Sequence, residues 1–182
     1  MTVFTIGHST RTLPEFIAML AAAGVDCVVD VRRIPRSRRY PQFNGEALAK
    51  TLPEAGILYR HLPGLGGRRG RRDGVSPNTL WREAGFRNYA DYAETAEFRT
   101  AFATLRTLAA EHRAAIMCAE AVWWRCHRRI ITDYLIAAGV TVEHILGLGK
   151  ITPAELTPGA VVKPDGAILY RAADPAQPEF DF

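Results

Sequence analysis

Five short apolar runs, each closed by glycine or a polar residue, alternate with stretches punctuated as helices, and this alternation narrows the possible folds most. Val3-Phe4-Thr5-Ile6 ends at Gly7 and reads as a buried strand. Thr12 then stands as an N-cap, with Glu15 completing a capping box, Pro14 in the first turn and Gly24 as the stop. Cys27–Val31 forms a second strand, a helix opens near Asn44 and closes at Gly56, and Ile57–Arg60 forms a third strand. Helical patterning returns at Tyr89–Tyr92 and runs strongly from Glu97 to Glu111. Ala114–Cys118 is the fourth strand, Arg125–Ala138 a helix ended by Gly139, and Val140–Ile145 the fifth strand. Such alternation implies a single three-layer α/β domain over residues 1–150, with a mainly parallel sheet of about five strands and helices on both faces. Val161-Val162 and Ile168–Tyr170 flank Pro164-Asp165-Gly166, so residues 151–182 are expected to add a C-terminal hairpin and a loose tail.

At 182 residues, with 48% hydrophobic and 23% charged residues, the chain has the makings of one ordinary core. Disorder, collagen-like repeats and coiled coil are excluded for its bulk. The longest apolar stretches break well before the ~18 residues a membrane helix needs, so no membrane partner is expected. The first eight residues carry no basic region or cleavage site, and a cytoplasmic location is expected. Three cysteines, Cys27, Cys118 and Cys126, are too few for a disulfide framework and read as reduced thiols.

The net charge of +4 is concentrated. Arg32, Arg33, Arg36, Arg38 and Arg39 form one basic stretch and Arg68, Arg69, Arg71 and Arg72 another; without those nine the net charge would be −5. A GC-rich genome would explain 20 arginines beside 3 lysines, but not their clustering. Local basicity of this kind suits an anionic partner. The first stretch interleaves arginines with Tyr40 and Phe43, a combination that grips phosphates and stacks on bases. An interface between subunits, as in a homodimer, is the weaker reading of the same residues. The Gly/Arg segment from Leu62 to Ser76 has no hydrophobic period and reads as a long functional loop.

In open parallel sheets ligands bind beyond the carboxyl ends of the strands. Each of the first four strands here ends in polar or ionisable residues: His8 and Ser9, Asp30 and Arg32, His61, then Cys118 and Glu120. The richest segment runs from Met117 to Arg129, where a strand feeds a loop and then a helix whose first turn is expected to hold Arg125, Cys126, His127 and Arg128. Cations at a helix N-terminus oppose its dipole, which makes sense if an anion sits in front of it. Cys126 there has the surroundings of a reactive thiolate, and also suits a small buried filler. Trp123 and Trp124 could desolvate Glu120 for acid–base work, or Glu120 could pair with Arg125 or Arg128 and organise the loop. Asp30 has the same two readings, with Arg32 or Arg33 as partner. Cys118, Cys126 and His127 could ligate a metal with His8, although the spacing matches no standard zinc pattern and no cofactor is required. A phosphatase-like Cys-x5-Arg loop is absent, because position 124 is Trp.

Five segments together resemble the domain-of-unknown-function family 488 of small bacterial and archaeal proteins, over roughly residues 3 to 148. They are Thr5–Ser9; Asp30-Val31-Arg32 with Pro35-Arg36-Ser37; His61–Gly67; Phe86 with Tyr89-Ala90 and Tyr92; and Met117–Glu120 through Cys126-His127-Arg128. The resemblance implies a single α/β domain and points to the same strand ends, without implying a substrate.

The expectation is an enzyme acting on a phosphate-bearing substrate, a nucleotide or nucleic acid. Ser9, Asp30, Arg32, Arg36, Arg125 and Arg128 would bind it, while His8, Glu120 and His127 would move protons and Cys118 or Cys126 would serve as nucleophile. A non-catalytic nucleic-acid-binding module and a thiol redox or metal sensor are the alternatives.

Overall fold

The computed structural model describes residues 1–172. The chain folds as β1 (Thr2–Gly7), α1 (Leu13–Ala22), β2 (Cys27–Asp30), α2 (Gly45–Glu54), β3 (Leu58–His61), α3 (Ala84–Tyr92) and α4 (Ala96–Glu111). There follow β4 (Ala114–Cys118), α5 (Arg128–Ala137), β5 (Thr141–Gly147), β6 (Lys150–Pro153), and a hairpin of β7 (Ala160–Val162) and β8 (Ile168–Tyr170). Six strands make one sheet in the order β3-β2-β4-β1-β5-β6, parallel except for β6.

Period-two alternation divides the core into two layers. Phe4, Ile6, Val28, Ala115 and Met117 face α1 and α2, where Phe16, Leu20, Leu48 and Leu52 cover them. Val3, Val29, Ala114 and Ile116 face the other way, under Tyr89, Phe98, Leu105, Ile130 and Leu135 of α3, α4 and α5. The three-layer α/β expectation therefore holds, and α1 starts with the Thr12–Glu15 capping box.

Two elements differ from the sequence expectation. The sheet has six strands rather than about five, because Lys150–Pro153 folds back antiparallel on β5. Helix α5 begins at Arg128 rather than Arg125, with His127 as its N-cap and a separate 3-10 turn at Trp123–Arg125. The expected hairpin forms, and it packs into the α5 side of the core. Ile168 and Tyr170 are fully buried, and the Tyr170 hydroxyl donates to Asp133 at 2.9 Å. Most of the expected tail lies outside the described residues. No helix among the described residues is long and apolar enough to cross a membrane.

The topology decides where a site can form. Strand β4 lies between β1 and β2. Chain leaving β1 or β2 goes to a helix on one face, α1 or α2, while chain leaving β4 goes to α5 on the other. Adjacent connections that diverge to opposite faces open a crevice at the carboxyl ends of these strands.

Candidate functional site

The crevice gathers residues from three strands and one helix start. His8 follows β1, and its backbone N–H extends the ladder to the Cys118 carbonyl at 2.9 Å. Ser9 adopts a left-handed φ of 50° and donates its own N–H to Ala119, turning the chain across the end of β4. Val31 donates to Met117 from the other side. Strand ends carrying His8, Cys118 and Asp30 are thereby tied edge to edge.

Asp30 and Arg32 form a closed pair. Asp30 is fully buried and takes two bonds from the Arg32 side chain, one from its backbone N–H and one from the Tyr59 hydroxyl at 2.8 Å. Arg32 also donates to the Phe43 carbonyl at 2.7 Å and to His8 Nε2 at 3.3 Å. Its fork is therefore spent inside the protein, and it is not free to hold phosphate. His8 Nδ1 lies 2.9 Å from the Ser9 carbonyl and so carries the proton, leaving Nε2 to accept from Arg32. Burial, with Arg32 alongside, lowers the His8 pKa to about 4. The ring stacks on Phe43 at 4.3 Å. Phe43 is fully buried there, which removes it as a platform for bases.

Beside this pair sits the thiol cluster. Cys118 Sγ, Cys126 Sγ and a ring nitrogen of His127 all lie within 4.8 Å of one another. His127 Nε2 donates to the Val31 carbonyl at 2.9 Å, which leaves Nδ1, 3.6 Å from Cys126 Sγ, to share the thiol proton. A Cβ on Gly67 would stand 2.7 Å from that Nδ1, so only glycine lets the Gly/Arg loop lie against the ring. Arg128 is 1% exposed. Its Nε donates to Cys126 Sγ at 3.4 Å and its Nη2 to the Glu120 carbonyl at 2.5 Å. Among the described residues it has no carboxylate partner. A buried guanidinium without counter-charge costs several kcal/mol, and Cys126 sulfur is the group placed to supply one.

The thiol pKa values separate accordingly. Burial alone would push Cys126 up, but the neighbouring Cys118 thiol, the His127 ring and Arg128 together hold it well below the ordinary thiol range. Cys118, beside Cys126 and buried, is pushed well above it. Cys118, Cys126 and His127 could hold a soft metal ion by their spacing. His8 is not part of that trio, and a guanidinium already sits on one of the sulfurs.

The remaining expected site residues lie outside this core. Glu120 and Arg125 are exposed and flank a hollow of about 260 Å³ with Glu83, Phe86 and Trp124. The two indoles do not desolvate Glu120: Trp124 is 47% exposed, and Trp123 stacks on His144 at 4.3 Å. Arg36 pairs with Glu46 on the surface, at the rim of an open hollow of about 620 Å³ that also meets His61 and Tyr59. His61 donates to the Arg32 carbonyl at 2.8 Å.

The two basic stretches are one surface. Arg33 Nη1 donates to the Arg68 carbonyl at 2.9 Å, so loops 32–39 and 66–72 lie side by side. Tyr89 and Tyr92 hold the second loop through the Leu65 and Gly64 carbonyls, each at 2.6 Å, and Arg69 lies 3.7 Å over the Tyr92 ring. Arg33, Arg38, Arg39, Arg68 and Arg71 remain exposed.

His144 is the residue that the strand-end reasoning missed. It is buried on β5, bonds Thr5 at 2.7 Å through Nδ1, and its Nε2 has no partner among the described residues. Burial, with Arg128 nearby, lowers its pKa to about 4. A histidine between Val142 and Ile145 in an apolar strand was the available signal.

A family model described as "Domain of unknown function DUF488" matches residues 12–135, a span that holds every site residue named above except His8, Ser9 and His144. No curated protein and no solved structure matches the chain.

Proposed function

The chain belongs to this DUF488 family of unknown function, and from that premise we propose that it is an enzyme that uses the Cys126 thiolate as a nucleophile toward a phosphate-bearing substrate, a nucleotide or nucleic acid. The observation that carries this reading is the buried Arg128 guanidinium on Cys126 Sγ, with no carboxylate to balance it among the described residues. A side chain placed for stability alone would be matched with Asp or Glu, as Arg32 is with Asp30. His127 Nδ1 takes the thiol proton, and the ring then returns it to the leaving group when sulfur bonds to the electrophilic centre. The joined arginine loops hold the phosphates, and Gly67 links them to the His127 ring. Cys126 is 3% exposed, so the segment 119–125, with Glu120 and Arg125 on its outer side, has to lift for substrate to reach the sulfur.

The test is intact-mass analysis after incubation with a panel of nucleotides and short oligonucleotides. An adduct or altered substrate with the native chain, absent with Cys126→Ser while binding persists, supports the assignment. Turnover unchanged in Cys126→Ser overturns it. Binding without any change in either partner would favour the nucleic-acid-binding module, which the adjoining loops also support. In both cases affinity falls with salt by roughly 0.7 to 0.9 log units per tenfold for each phosphate neutralised. Replacing Arg38 and Arg39 with alanine should flatten that slope.

A further inference from the structure

Cys118 has no part in the chemistry above, yet it is a second buried sulfur within 4.8 Å of Cys126 and His127. We infer that Cys118 and Cys126 are the resolving and attacking thiols of a reversible disulfide formed by hydrogen peroxide, which switches the nucleophile off; this rests on the reading of Cys126 as the nucleophile.

The chemistry balances with the peroxide as the sole oxidant. Cys126 thiolate attacks one peroxide oxygen, the S–O bond forms and the O–O bond breaks. The sulfur is oxidised to sulfenic acid, and the departing hydroxide takes a proton to become water. Cys118 sulfur then attacks Cys126 sulfur, the S–S bond forms, and the S–O bond breaks. The Cys118 proton leaves with that oxygen as a second water.

Three features select this pair and this oxidant. Cys118 and Cys126 are 8% and 3% exposed, so hydrogen peroxide can reach the sulfurs with segment 119–125 in place, whereas a bulky disulfide such as oxidised glutathione has to wait for it to lift. The segment between them begins at the end of β4 and carries no regular element except the 3-10 turn at Trp123–Arg125, so it can close the remaining gap. Cys27 is excluded by topology. It pairs in register with Ala114, four residues before Cys118 on β4, which places it about 13 Å away along the strands. Burial raises its pKa to about 11, so it serves as an internal control.

Oxidation also removes the negative charge that Arg128 faces. The guanidinium is then buried without an anion while still bonded to the Glu120 carbonyl. That imbalance favours the reduced form, so the disulfide should be reversed readily by dithiothreitol.

The experiment treats the reduced full chain with hydrogen peroxide and follows intact mass and peptide maps. Native protein should lose two hydrogens as a Cys118–Cys126 cross-link, with Cys27 untouched, and dithiothreitol should restore it. Cys118→Ser, with Cys118→Ala as a second variant should the first fold poorly, should stop at a dimedone-trappable sulfenic acid on Cys126. A stable sulfenic acid in the native chain, a cross-link through Cys27, or equal oxidation of Cys118 in Cys126→Ser would overturn the inference. Alkylation of Cys126 by iodoacetamide at pH 6, together with its thiolate absorbance, separates the two readings. Fast alkylation without a disulfide defeats the switch alone, whereas a Cys126 thiolate absorbance, read against Cys126→Ser, that titrates no lower than an ordinary thiol defeats the thiolate and the switch together.

Discussion

Replacing Arg128 with methionine tests the charge argument directly, because methionine fills similar space without the cation. The guanidinium Nε stands 3.4 Å from Cys126 Sγ. At an effective dielectric of about 20, two unit charges at that separation attract by about 5 kcal/mol. One pH unit of pKa corresponds to about 1.4 kcal/mol, so the Cys126 midpoint should rise by roughly three to four pH units. Thiolate absorbance in the ultraviolet, titrated against a Cys126→Ser reference, reads that midpoint without requiring a reagent to enter. The alkylation rate at pH 6 should fall by less than the thiolate fraction does, since a more basic thiolate is intrinsically more nucleophilic. Arg128→Lys keeps the charge and should keep most of the shift while losing one of the two contacts. A midpoint unmoved in a folded Arg128→Met protein would refute the reasoning, and with it the claim that Cys126 is the counter-charge. Stability carries the same signature. A thiol with a lowered folded pKa binds no proton where the unfolded chain does. Its contribution is therefore fully present above the unfolded value near 9 and is lost as pH falls through the folded one.

Three further outcomes follow from the packing. His8 and His144, each lowered to about 4 from 6.5, make unfolding take up two extra protons between those values. Stability should therefore fall as pH drops from 6.5 toward 4, and His144→Phe should remove one proton from the slope of melting temperature against pH. Gly7→Ala would set a Cβ 1.8 Å from the Glu120 carbonyl oxygen, the atom that holds Arg128. It should cost about 1–3 kcal/mol, lower the melting temperature by several degrees and speed alkylation of Cys126 as the loop lifts. Tyr170→Phe removes the hydroxyl that bonds Asp133, a buried carboxyl whose pKa burial already raises, and should cost about 1.5–3 kcal/mol in urea unfolding.

The sequence was most legible where a local rule acts alone. The Thr12–Glu15 capping box, the Pro164-Asp165-Gly166 hairpin and the five apolar runs of the sheet all formed within a residue or two of their expected bounds. Strand β6 was illegible because Lys150-Ile151-Thr152-Pro153 has a single large apolar residue and owes its conformation to pairing with β5. The collection of His8, Asp30 and Cys118 at one sheet edge followed from strand ends, and that of His127 from the segment that leaves β4. Which groups each side chain faces did not, because that depends on register. Arg32 and Arg128 looked like phosphate ligands, and their forks turned inward. His144 escaped notice because it sits within a strand, stacked on a tryptophan more than twenty residues away in sequence.

Those two buried arginines differ in a way that bears on the whole site. Arg32 faces Asp30, a carboxylate that also accepts from the Arg32 backbone N–H and the Tyr59 hydroxyl, so that pair is a fixed part of the fold. Arg128 faces a sulfur that can be protonated, alkylated or oxidised. With Cys126 as the proposed thiolate, the chain itself would supply an anion immediately before the N-cap His127. Every change at that sulfur alters the electrostatic balance of a guanidinium that also holds the Glu120 carbonyl and, through it, the covering segment 119–125. The proposed chemistry at Cys126 and the position of segment 119–125 would thus be coupled through one side chain. A variant that uncouples them, Arg128→Lys, should leave the thiolate charged and its cover loose, with alkylation faster than in the native chain at the same midpoint. Alkylation no faster than native in that variant would mean that the Glu120 carbonyl is not what Arg128 restrains.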